Sequence, residues 1–70
     1  MAALIIESSE IKGNQNILGY EPFFNKNVTI GTVDHTNKEV RPSHGYFPPH
    51  SHGKRIQRYA RIIGYKFNVR

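Results

Sequence analysis

Residues 54–70 read KRIQRYARIIGYKFNVR, and whether this stretch forms a helix or a strand decides the fold class. Two periodicities run through it. Ile56, Tyr59, Ala60 and Ile63 fall at i, i+3, i+4 and i+7, one face of a helix, with Gly64 placed to end it. Tyr59, Arg61, Ile63, Tyr65, Phe67 and Val69 alternate with Arg58, Ala60, Ile62, Gly64, Lys66 and Asn68, as one long strand would. β-Branched and aromatic residues tip the balance toward strand, and YKFNVR (65–70) reads as strand either way. The expected fold is mainly β, a small antiparallel sheet or open barrel. An α+β fold with one short C-terminal helix at about 54–63 is the alternative.

The first half of the chain supports the β reading. AALIIESSEI (2–11) is β-branched and polar, and the turn formers KGNQN (12–16) follow, with Gly13-Asn14 suited to positive φ. ILGYEPFF (17–24) resumes an extended apolar run that must be an edge or end near Pro22, which has no N–H for a ladder. VTIGTV (28–33) alternates with a period of two. DHTNK (34–38) is a turn with Asn37 as the expected left-handed residue, and Glu39–Arg41 can pair back as a short strand. Strands are expected near 3–11, 17–24, 28–33 and 65–70. The expected buried set is Leu4, Ile6, Ile17, Leu18, Val28, Ile30, Val33, Ile63, Tyr65 and Phe67.

Between the two halves, Pro42, Gly45, Pro48, Pro49 and Gly53 break both periods, so 41–53 reads as an extended loop or arm. Seventy residues make a single small domain, and no cysteine is present to staple it. A core that small predicts a marginally stable or self-associating chain, a possible homo-oligomer. The N-terminus is apolar for only five residues after Met1 and has no basic lead. It therefore reads as neither a secretory signal nor a membrane span. The expected location is the cytoplasm, or the inside of a larger particle such as a virion.

Charge is the strongest functional signal. Residues 1–40 hold all five acids and three lysines, a net −2, whereas residues 41–70 hold seven Lys/Arg and no acid, a net +7. Such a block repels itself unless the acidic half or an anionic partner compensates it. Arg55, Arg58, Arg61, Lys66 and Arg70 are interleaved with Tyr46, Phe47, Tyr59, Tyr65 and Phe67. Guanidinium groups suit phosphates and aromatic faces suit unpaired bases. The plainer reading places Tyr59, Tyr65 and Phe67 in the core. The candidate nucleic-acid or partner-binding residues are Arg41, Tyr46, Phe47, Lys54, Arg55, Arg58, Arg61, Lys66 and Arg70.

The histidines offer a weaker signal. His50-Ser51-His52 is an H-x-H pair, and His44 or His35 could add a third imidazole for a metal. No carboxylate or cysteine lies in the loop, so His44, His50 and His52 are weak candidates and no metal or other cofactor is expected. Ser43-His44 and Ser51-His52 are sequence neighbours, which rarely form a nucleophile–base unit. Sequence alone thus points to a non-enzymatic basic module whose C-terminal half, 41–70, contacts an anionic partner, most plausibly RNA or a ribonucleoprotein. A structural subunit of a larger assembly such as a viral particle, docking on protein subunits, and a small metal-independent ribonuclease are the alternatives.

Overall fold

The computed structural model describes residues 4–69. Its elements are β1 (Ile5–Ser8), β2 (Asn14–Glu21), β3 (Lys26–Asp34), β4 (Glu39–Pro42), α1 (Ser51–Ile63) and β5 (Lys66–Phe67). They form one five-stranded sheet in the order β1-β2-β3-β4-β5. The first four strands are an antiparallel meander. β5 joins β4 in parallel after the chain has crossed through α1. The fold is thus mainly β with one helix packed on one face of a mixed sheet.

Of the two readings of the C-terminal segment, the helical one is realised. Ile56 and Ala60 are buried in the core, and Tyr59 and Ile63 pack against it. The helix begins three residues before the expected start, at Ser51, because the loop ahead of it supplies a cap. His50 Nδ1 accepts the backbone N–H of His52 at 3.1 Å. At the other end Gly64 takes φ 75°, a left-handed position that suits a residue without a Cβ. Tyr65 N–H then bonds Ala60 O at 2.9 Å and Gly64 N–H bonds Arg61 O at 3.2 Å, closing the helix by a Schellman motif. Of the strand expected over 65–70, β5 takes only Lys66–Phe67, since the helix closure claims Tyr65, and position 70 lies outside the described residues.

Other boundaries shift for local reasons. β2 starts at Asn14, since Asn14–Asn16 pair with Asp34–Thr32, and it stops before Pro22, which sits in the turn. β1 ends at Ser8, short of the expected 3–11, and residue 3 lies outside the described residues. The loop expected over 41–53 narrows to 43–50, because Arg41 and Pro42 belong to β4 and Ser51–Gly53 to α1. In the β3–β4 turn the residue with positive φ is Lys38, not Asn37. Asn37 instead donates its backbone and side-chain N–H groups to Asp34.

The core consists of Ile17, Ile30, Val33, Val40, Ile56 and Ala60. Leu4, Ile6, Val28, Tyr46, Tyr59, Ile63, Tyr65 and Phe67 pack around it half-buried. Leu18, expected inside, points to the opposite face of β2 from Ile17 and is only half-buried. A bulge opposite Ile17/Leu18 leaves Ile30 without a pairing partner between Thr29 and Gly31. That extra residue lets Ile30 and Val33 share the core although strict alternation would separate them. No helix among the described residues is long and apolar enough to cross a membrane.

Candidate nucleic-acid interface

At about 100° of rotation per residue, Lys54, Arg58 and Arg61 fall within an arc of about 60° on α1. That arc lies opposite the buried line of Gly53, Ile56 and Ala60, and all three cations are exposed. The helix carries no acidic residue, and along its axis the three charges span about 10 Å. Helical spacing has gathered into one line charges that a strand would have divided between two faces.

The acidic half does not neutralise this line. Asp34 is occupied by its own turn, accepting from Thr36 N–H at 3.0 Å, Asn37 N–H at 3.1 Å and Asn37 Nδ2 at 2.8 Å. These bonds, the Asn37 backbone N–H foremost, hold its carboxyl below the ordinary value of 3.8. Glu39 accepts from Asn68 Nδ2 at 3.0 Å and pairs with Arg41 at 2.8 Å, and the Asn68 bond leads in lowering its carboxyl too. Glu21 accepts from Phe23 N–H and Tyr46 Oη. Glu7 and Glu10 are exposed. Among the described residues the sole ion pair is Glu39–Arg41, so no acid pairs with Lys54, Arg58 or Arg61.

The other candidate residues are not all brought to this face. Arg55 is half-buried, and its Nη1 donates to His52 Nδ1 at 3.3 Å. With Arg58, Tyr59, Ile62 and Leu4 it lines an open groove of about 200 Å³ beside the cationic line. Arg41 and Lys66 share register with Thr32 and Glu39, which places them on the sheet face away from α1. Arg70 lies outside the described residues. Tyr46 and Phe47 are half-buried in the 43–50 loop rather than displayed on it. Burial raises the Tyr46 phenol above its ordinary value of 10.0, and the neighbouring Glu21 adds to the effect.

The histidines form a packed cluster. His52 is 5% exposed, its Nε2–H donates to Tyr20 O at 2.9 Å and its Nδ1 accepts from Arg55. His50 stacks on it with ring centroids 5.3 Å apart, and Tyr46 packs edge-on against both. His44 is exposed and meets Phe47 edge-on at 6.0 Å. His35 bridges Gln15 Oε1 and Tyr65 Oη at 2.6 and 2.7 Å, tying β2 to the segment before β5. Among the described residues no three His, Cys, Asp or Glu side chains converge to hold a metal ion.

One exposed feature escaped the sequence reading. Phe23 and Phe24, assigned above to the end of a strand, stand at the tip of the β2–β3 hairpin, 86% and 57% exposed. The turn-forming Pro22 beside them and Asn25 after them were the available signal. Comparison with protein-family models, curated proteins and solved structures finds no match to the chain.

Proposed function

We propose that this chain is a small non-enzymatic module that binds RNA through the cationic outer face of α1. It would work in the cytoplasm or inside a nucleoprotein particle such as a virion. The observation that supports this is the line of Lys54, Arg58 and Arg61, exposed, aligned and left without an acidic partner while the chain's acids are occupied elsewhere or face solvent. Guanidinium and ammonium groups so arranged match successive phosphates of a nucleic-acid backbone. Both ring nitrogens of His52 are committed to internal hydrogen bonds, which supports a positioning role for that ring rather than acid–base work.

A salt titration tests the reading. Each phosphate neutralised on a single strand contributes a log–log slope of about −0.7, so contacts from all three residues give about −2. Replacing Arg58 and Arg61 with Ala together should bring the slope to about −0.7 and weaken binding at every sequence. A flat wild-type response, or no binding of single-stranded RNA at low salt, overturns the proposal and leaves docking on protein as the use of this face.

A further inference from the structure

The hairpin tip is built to hold two phenyl rings out in solvent. Phe24 N–H bonds Glu21 O at 3.1 Å and Asn25 N–H bonds Pro22 O at 3.2 Å, two overlapping turns. The Glu21 carboxylate takes the Phe23 N–H at 3.2 Å, and the Tyr20 hydroxyl bonds Asn25 Oδ1. Asn25 sits at φ 53° to complete the reversal. Nothing in this arrangement uses the phenyl groups, which touch each other edge to face with centroids 5.1 Å apart. The backbone of the tip is thus preorganised while its apolar side chains lie outside the core.

The tip also lies beside the cationic helix. Tyr20 O receives His52 Nε2–H, so the last residues of β2 abut the first turn of α1. Glu21 joins them again, with one carboxylate oxygen on Phe23 N–H and the other on Tyr46 Oη in the loop that leads into the helix. Lys54 follows His52 by two residues, so a strand laid along Lys54 and Arg58 leaves α1 at the end that the hairpin meets.

We propose that Phe23 is a stacking platform for one unpaired base of the strand whose phosphates α1 holds. This rests on the RNA-binding reading above. Rings inclined at 82° cannot both enter one continuous stack of bases. The more exposed ring therefore takes the base and Phe24 props it. A protein interface is a poorer fit, because two isolated rings fall well short of the roughly 800 Å² per partner of a standard interface.

The test compares wild type with Phe23→Ala, Phe23→Tyr and Phe24→Ala on three ligands: a short oligouridylate, the same strand with abasic sugars, and anionic phospholipid vesicles. Phe23 is exposed, so these variants keep the fold. Loss of a stacked base should weaken Phe23→Ala on oligouridylate by about 5- to 150-fold. The salt slope and the affinity for the abasic strand should not change. Tyr at 23 should restore binding, and Phe24→Ala should cost less than Phe23→Ala. Equal affinities for wild type and Phe23→Ala, or equal losses on both strands, would overturn the platform while leaving the helix reading intact. Failure of wild type to bind either strand at low salt would overturn both. A Phe23 dependence confined to vesicles would assign the tip to lipid instead and overturn the proposal.

Discussion

Gly53 lies flat against the loop that delivers the chain to α1: a Cβ there would stand 2.6 Å from Pro48 N, against the backbone that leads on from Tyr46 O. Intrinsic propensity alone favours Ala over Gly inside a helix by about 1 kcal/mol. Here the obstacle is main chain, which cannot rotate aside. Gly53→Ala should therefore destabilise, by about 1–3 kcal/mol, and lower the thermal midpoint. A higher midpoint would show that the 43–50 loop yields.

Ile56 joins helix to sheet, fully buried with its Cδ1 over Gly31. Ile56→Ala should cost about 2–5 kcal/mol in urea unfolding. Ile62, six residues on and 74% exposed, should cost no more than about 0.5 kcal/mol when changed to Ala. Similar losses at both sites would mean that α1 does not pack by the face described.

His50 caps the helix with an imidazole lone pair, a task done better by Ser or Asp. His50→Ala should destabilise by about 0.5–2 kcal/mol. His50→Asp should stabilise relative to wild type, since the first turn holds no acid to complement the helix dipole. Calorimetry of the three proteins decides the order, and equal midpoints would show that the cap carries no weight.

Acid should weaken the fold through Glu39 and Asp34. Both carboxyls are held below their ordinary values of 4.5 and 3.8, by Asn68 and Asn37 respectively. A carboxyl lowered in the folded state contributes its full stabilisation above its ordinary value and loses it as pH falls through the folded value. The urea midpoint of wild type should therefore drop as pH falls below the ordinary carboxylate range. Glu39→Gln should show a shallower drop, and identical pH profiles would remove Glu39 from the account.

The meander was largely legible from the sequence because its turns announce themselves: Gly13 and the Pro22–Asn25 cluster fall where the chain reverses. Ile17, Ile30 and Val33 were found in the core, though the bulge that allows the last two to share it leaves no local trace. The helix was read less well. Apolar positions alone fitted both periods, whereas the i, i+4, i+7 spacing of Lys54, Arg58 and Arg61 fits helix better. Ile56 and Ala60 were therefore missed as core residues, and Val40 was missed separately, in a strand of only four residues. Gly53 seemed to end a loop, and its place inside a helix follows only from the backbone packed against it. Of the candidate interface, the cationic set on α1 came from composition. The separation of Arg41 and Lys66 from it depends on sheet register, which no residue pattern displayed.

The parallel seam between β4 and β5 has a consequence for the order in which the molecule assembles. Hairpins join β1 to β4, so their pairings close between residues near in sequence, which form early and at small entropic cost. Lys66 N–H reaches Lys38 O and Asn68 N–H reaches Val40 O only after the chain has run through the loop and the whole helix. The two-residue seam is thus the latch of a late-closing flap made of α1 and β5. Amide exchange should find that flap opening as a unit over an intact meander.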